Sequence, residues 1–224
     1  MRMRRWLWSA GLLAGVGLGA GCAHDEAKQA RHRGEQVGEA FAHKVRFADQ
    51  LSLLNQEQIT LAHLALQRSD NPEVRRFAQE LIRDHQRNQE ELETLAESKA
   101  LSLATVELST EALSTDELAI GGAGTEGALE GLEKGEKKYN KQYDKQVEKF
   151  YEKRDALAGL SGREFDKAFL EQVTDDQDRA KELVEEGLDE YRDDTTLAVF
   201  LGRTAPVLSG HLQRAELLKG YLGD

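Results

Sequence analysis

The chain has 224 residues, a formal net charge of -11, two prolines and 6% aromatic residues. This length allows one domain with a sizeable core, and the composition favours an all-helical protein. The acidic charge should repel nucleic acid and anionic lipid headgroups, which argues against a nucleic-acid-binding function. An internal disulfide is excluded as well, because Cys22 is the single cysteine.

Residues 1–21 have the pattern of a bacterial secretion signal. Three arginines among the first five residues precede an apolar, glycine-rich stretch over 6–21. That stretch is too short and too glycine-broken for a membrane-spanning helix. It is similar to a lipoprotein signal, in which Cys22 becomes the lipidated first residue of the mature chain. Gly19 departs from that pattern, since leucine is usual there. The alternative is a signal cleaved nearby that leaves Cys22 as an unused thiol.

The segment after the signal is predicted to be a flexible tether over residues 22–39. It is polar, contains Gly34 and Gly38, and shows little apolar periodicity. We therefore expect a domain held to a membrane of the bacterial cell envelope by lipid on Cys22, facing the periplasm. The sequence leaves open whether the inner or the outer membrane holds the anchor.

Four later segments carry apolar residues at alternating spacings of four and three, a pattern typical of helices that pack against each other. Asn71 and Pro72 are suited to begin one of them, as cap and first helical residue. Short turns join the helices in pairs, which predicts antiparallel neighbours. The fold class is therefore all-α, an antiparallel four-helix bundle with helices over 40–69, 71–98, 161–191 and 194–222.

An additional helix is predicted over 136–158, after a glycine-rich, flexible linker over 119–135. One face of this helix is partly aromatic and carries Tyr139, Tyr143, Val147 and Phe150. Two interpretations stay open. The face is either buried against the bundle of the same chain, as amphipathic helices usually are, or offered to a partner protein or the envelope.

Four polar residues stand where the pattern expects apolar ones: Gln58, His85, Asp176 and His211. Gln58 and His85 lie at similar distances from the turn that joins their helices, as do Asp176 and His211 from theirs. Stacking of the two helix pairs in register would bring the four residues together as one polar layer. In the structural interpretation this layer fixes helix pairing, with Asp176 and His211 as an ion pair.

The competing interpretation of the polar layer is a metal site. Di-iron centres in helical bundles need a glutamate three residues before each histidine, and this chain has Ile82 before His85 and Leu208 before His211. A di-iron oxygenase is therefore not expected. A single zinc, manganese or iron ion on His85, Asp176 and His211 remains an alternative, since imidazole and carboxylate suit those metals. We otherwise expect no cofactor.

Several short motifs resemble the bacterial family named domain of unknown function 4142: Phe77-Ala78 with Asp84-His85, Phe165-Asp166, and Pro206 to His211-Leu212. The resemblance implies an exported or lipid-anchored protein with a ferritin-like four-helix bundle. The chain departs from the family pattern at Asp176, where a histidine is expected nearby, and in a longer insertion around 121–157.

The family has no settled activity to carry over. We therefore predict a non-enzymatic binding or structural protein of the cell envelope, and a stress-related role rests on the resemblance alone. The alternative function is a metal-binding bundle with a redox role, centred on His85 and His211.

Overall fold

The computed structural model describes residues 20–101, 103–104 and 126–223, with side chains from residue 32 and, in the third helix, from residue 139. Five helices make up this part of the chain, and it contains no strand. The predicted all-helical class is confirmed. The helices are α1 (Ala20–Arg68), α2 (Pro72–Ser98), α3 (Glu126–Ala158), α4 (Gly162–Glu190) and α5 (Thr195–Gly223).

The first helix is longer than predicted. It begins at Ala20, so residues 22–39, expected as a flexible tether, are helical. Alanine, glutamate, lysine, glutamine and arginine dominate this stretch and favour a helix without needing a buried face. The side chains of residues 32–37 are indeed exposed. Likewise, α3 begins at Glu126, inside the predicted linker, and helix-forming residues outweigh its glycines there.

The signal prediction lies almost entirely outside the described residues, which begin at Ala20. The backbone of Cys22 belongs to α1, but its side chain is not among those described. Residues 119–125 of the predicted linker lie outside the described part as well. None of the five helices combines the length and hydropathy needed to cross a membrane, as judged from the described residues.

Local capping explains where α2 begins. The side-chain oxygen of Asn71 accepts hydrogen bonds from the backbone N–H groups of Glu73, at 2.9 Å, and Val74, at 3.5 Å. Pro72 follows as the first helical residue, where its missing N–H has no consequence. Because only Ser69, Asp70 and Asn71 separate α1 from α2, the two helices must pack side by side.

The packing pattern sets α3 apart from the other four helices. Helix α1 packs on α2, and α4 packs on α5, while α1 also meets α4 and α2 meets α5. Helix α3 lies mainly along α1 and makes few contacts with α4. A gap lined by side chains of α1, α3 and α4 results.

Buried apolar side chains form two clusters rather than one. The first includes Phe77, Phe165, Phe169 and Leu218. The second includes Phe47, Leu92, Val184 and Leu201. Along α1, α2, α4 and α5 a stretch of buried polar residues separates the two clusters. The candidate site is therefore held between two packed apolar blocks.

Candidate functional site

The four polar residues singled out in the sequence are all buried between the two apolar clusters. Their exposed fractions are 1% for Gln58, 3% for His85, 2% for Asp176 and 2% for His211. Polar groups this deeply buried need hydrogen-bond partners, because water is not there to supply them. The partners in this site show what it can do.

Gln177 links three helices of the polar layer. Its Nε2 atom donates to Oε1 of Gln58 at 3.1 Å and lies 3.1 Å from Nε2 of His85. Gln58 in turn donates from Nε2 to Oδ2 of Asp176, also over 3.1 Å. Helices α1, α2 and α4 are thus joined by one chain of hydrogen bonds. Gln177 could not be singled out from the seam pattern, because it stands one position beside the apolar seam of α4.

His85 is held as a neutral imidazole with a defined tautomer. The amide nitrogen of Gln177 can only donate, so Nε2 of His85 must accept. On the other side Nδ1 of His85 donates to Oδ1 of Asn55 at 2.9 Å. Burial, together with the nearby His211, lowers the pKa of His85 to about 3. Both ring nitrogens are occupied, so neither is free for a metal.

The polar contacts continue from Asn55 toward α5. Nδ2 of Asn55 donates to Oδ1 of Asn88 at 2.9 Å, and Nδ2 of Asn88 donates to the hydroxyl of Thr204 at 2.7 Å. The polar layer therefore belongs to a larger network that reaches all four helices around the core. Asn55 was missed in the sequence because it lies beside the apolar seam of α1.

His211 has a different acid beside it from the one predicted. Its Nε2 atom lies 3.2 Å from Oδ2 of Asp84 on α2, and its ring packs 5.2 Å, centroid to centroid, from that of His85. Burial lowers the pKa of His211, and the hydrogen bond and charge of Asp84 partly offset that effect. The predicted ion pair of His211 with Asp176 is therefore wrong, because helix rotation turns His211 toward α2.

Asp176 is saturated by other groups. Its Oδ1 atom accepts from Nε2 of Gln172 at 2.7 Å and pairs with the guanidinium of Arg179, one turn away on α4. Nζ of Lys153, on α3, lies 3.8 Å from the same oxygen. Oδ2 is taken by Gln58. With Arg179 and Lys153 beside it, this carboxylate is neutralised in place, and both of its oxygens already accept from protein donors.

The predicted metal ligands His85, Asp176 and His211 are not brought together as one group. The described residues contain a different group of three: Glu80 and Asp84 on α2 with His211 on α5. One ligand atom from each lies within 4.8 Å of the others. Glu80 and Asp84 are one helical turn apart and so project from the same face of α2. Residue spacing alone could not predict this group, because it depends on how α2 and α5 are rotated.

A cavity of about 310 Å³ lies in the gap between α1, α3 and α4. Glu57, a buried acid of α1 with 6% exposure, lines it. Burial, reinforced by the charge of Asp176, raises the pKa of Glu57 to about 7. We call this space the Glu57 cavity. Residue spacing could not predict this cavity, because it depends on how α3 lies against α1 and α4.

The aromatic face of α3 is covered by the rest of the chain. Tyr143 and Phe150 are buried, with exposures of 5% and 3%, and Tyr139 and Val147 are half-buried. The hydroxyl of Tyr139 lies 3.3 Å from the backbone oxygen of Arg46 on α1. Two of the four side chains of this face are thus buried within the chain, as the first of the two interpretations expects.

The chain matches the family model described as "Domain of unknown function (DUF4142)" over residues 32–147 and 125–218. No curated protein and no solved structure matches it. The two matched ranges span both apolar clusters and all the polar residues described above. Because they cover well over half of the 224 residues, the chain belongs to the domain of unknown function 4142 family.

Proposed function

We propose that the protein is a cell-envelope lipoprotein with a non-enzymatic binding role. In this proposal α1, α2, α4 and α5 form an antiparallel, ferritin-like four-helix bundle, and lipid on Cys22 holds it to a membrane. The observation that carries the proposal is the continuity of α1 from Ala20 to Arg68. From Cys22 to Phe47, the first buried side chain described, such a helix rises about 37 Å at 1.5 Å per residue. It would present the bundle at that distance from an anchor.

The polar layer supports a binding rather than a catalytic role. In the polar layer Gln177, Gln58 and Asn55 occupy the atoms of His85 and Asp176 that a reaction would need. A general base needs a free lone pair within reach of a substrate. His85 instead uses both ring nitrogens within the core. A stress-related role stays a prediction of the sequence resemblance.

The anchor is tested by mass spectrometry of the mature N-terminus in the native host. We expect the wild-type protein to begin at Cys22, carrying acyl chains, and to sediment with membranes. Cys22→Ser should lose the acyl chains and the membrane association, while Ser69→Ala, which keeps the signal intact, should lose neither. A wild-type protein that begins elsewhere and carries no lipid would contradict the proposal.

A second candidate function is the binding of one divalent transition metal by Glu80, Asp84 and His211. The favouring observation is their convergence, with ligand atoms within 4.8 Å of one another. One imidazole and two carboxylates suit zinc, manganese or iron. It stands second because ligating histidines almost always donate from their other nitrogen, whereas Nδ1 of His211 has no partner among the described residues.

Metal binding is tested by dialysing the full-length protein against Zn²⁺, Mn²⁺ or Fe²⁺ and measuring bound metal by elemental analysis. A site at this group predicts near-stoichiometric metal that is lost in Asp84→Asn and in His211→Gln. His85→Gln serves as the control, since it changes a neighbouring buried histidine that is not a ligand here. Metal that survives both ligand substitutions would eliminate this second function.

A further inference from the structure

The carboxyl group of Glu57 has no hydrogen-bond partner among the described residues. The residue is only 6% exposed, and its carboxyl oxygens are reached from the cavity rather than sealed in the core. Such a group is costly to bury unless something satisfies it. The neighbouring Asp176 shows the contrast, because both of its carboxylate oxygens accept from protein donors. The carboxyl of Glu57 is therefore available to a molecule in the cavity.

Three cations lie along one wall of the cavity. Lys149 and Lys153 project from α3 one turn apart, and Arg179 faces them from α4. Arg179 and Lys153 are partly engaged with Asp176, while Lys149 has no ion pair within the described part of the chain. Three cations against Asp176 and the incompletely ionised Glu57 make this wall positive. That is unusual for a chain with net charge -11.

The remaining wall is part apolar and part amide. Its apolar side chains come from α1, α3 and α4, namely Leu53, Leu54, Leu61, Phe150 and Leu183, and its amides are those of Gln50, Gln146 and Gln172. A volume of about 310 Å³ is at the small end of ligand pockets. The cavity thus combines a partly apolar wall, a positive rim and one acid that can donate a hydrogen bond when protonated. Those three features together select a ligand class.

We propose that the Glu57 cavity binds a small organic carboxylate with a short apolar body. The ligand carboxylate accepts the proton of neutral Glu57 as a hydrogen bond and lies near the ammonium groups of Lys149 and Lys153. The apolar body packs on the leucines and Phe150. The inference rests on the proposed binding role but not on the anchor, because its test measures ligand affinity whereas the anchor test measures lipid on Cys22.

The binding is coupled to protonation of Glu57. The charged or titratable groups that face Glu57 or share its cavity are Asp176 and Arg179 on α4, with Lys149, Lys153 and Tyr143 on α3. An aliphatic carboxylic acid stays ionised above about pH 5, so Glu57 is the group that titrates near neutrality. Neutral Glu57 donates to the ligand, whereas ionised Glu57 repels it. Affinity should therefore rise as the pH falls from about 8 to about 6.

The test is calorimetric titration of the full-length protein with hexanoate, hexylammonium and 1-hexanol, in buffers without carboxylates. These probes share an apolar body and differ in their charge. We expect hexanoate to bind, with an affinity about tenfold higher near pH 6 than near pH 8, as a single titrating group requires. Tighter binding of hexylammonium or hexanol, no hexanoate binding, or affinity that rises with pH would each overturn the proposal.

Two pairs of variants locate the effect. Glu57→Gln keeps a donor that does not titrate, so hexanoate binding should persist and lose its pH dependence. Glu39→Gln changes an exposed acid of the same helix and should leave both unchanged. Lys149→Gln should weaken hexanoate binding severalfold, whereas Lys141→Gln, exposed on the same helix α3, should not. Unchanged pH dependence in Glu57→Gln would show that another group controls binding.

Discussion

The amide nitrogen of Gln177 lies 3.1 Å from Nε2 of His85 and donates a hydrogen bond to it across the core. This contact decides the chemistry of the imidazole, because it makes Nε2 an acceptor and leaves the ring proton on Nδ1 for Asn55. A histidine held this way is neutral and structural. The same amide also donates to Gln58, so a single side chain joins three helices.

Gln177→Ala should destabilise the fold by about 2 kcal/mol, since it leaves the buried acceptors of Gln58 and His85 without a donor. Urea denaturation at neutral pH measures this effect. Gln213→Ala is the matched control because it removes an exposed glutamine from α5. Equal stability of the two variants would show that the polar layer does not depend on Gln177.

Stability should fall in acid because of His85. Its folded pKa of about 3 lies below the ordinary histidine value, so the unfolded chain binds the proton first as the pH drops. Between about pH 6.5 and 5 this difference removes about 2 kcal/mol of unfolding free energy. His85→Gln should lose that part of the pH dependence. Parallel pH profiles for wild type and variant would contradict the assignment.

Gly187→Ala should destabilise the protein by about 2 kcal/mol through overpacking. A Cβ at this position would lie 2.2 Å from Cζ of Phe47 and 3.0 Å from Cδ1 of Leu201, both in the second apolar cluster. Gly202→Ala is the control, since a Cβ there meets nothing within 4 Å. It should stabilise α5 by about 1 kcal/mol, the usual gain of alanine over glycine in a helix. Relative to wild type, the melting temperature should therefore fall in Gly187→Ala and rise in Gly202→Ala.

Asp194 ties the start of α5 to two other helices. Its carboxylate accepts from the backbone N–H of Leu197 at 3.3 Å, from Nζ of Lys44 at 2.8 Å and from Nζ of Lys99 at 2.7 Å. Burial raises the pKa of Asp194, but the two lysines outweigh that effect and lower it to about 2. Ionised Asp194 thus stabilises the folded state at pH values above the ordinary aspartate pKa. This contribution is lost as the pH falls through about 2.

Asp194→Ala should lower the free energy of unfolding by about 1 to 2 kcal/mol, because it removes a helix cap and the contacts of that carboxylate with the two lysines. Asp193→Ala, the exposed neighbour, should change it little. Denaturation at neutral pH and near pH 3 measures the contribution of the Asp194 charge. The difference in unfolding free energy between wild type and Asp194→Ala should be smaller near pH 3. A gap that does not change with pH would mean that the charge of Asp194 contributes nothing.

Much of the local structure could be predicted from the sequence. The all-helical class and the family are confirmed, and Asn71 caps α2 as its position suggested. Apolar periodicity predicts where burial occurs but not where a helix ends. Residues 22–39 have no apolar face and still form a helix. Their backbone hydrogen bonds and their helix propensity depend on neighbouring residues in the chain and not on a buried face.

The sequence by itself determined that Gln58, His85, Asp176 and His211 would occupy core-facing positions, because helical periodicity is a property of the chain alone. Only the tertiary structure decided their partners. Successive residues of a helix are rotated by about 100° around its axis. The apolar pattern therefore shows which side of a helix faces the core but not which neighbouring side chain a residue contacts. Rotation and stagger of the packed helices pair His211 with Asp84, and they leave Glu57 facing a cavity instead of a partner.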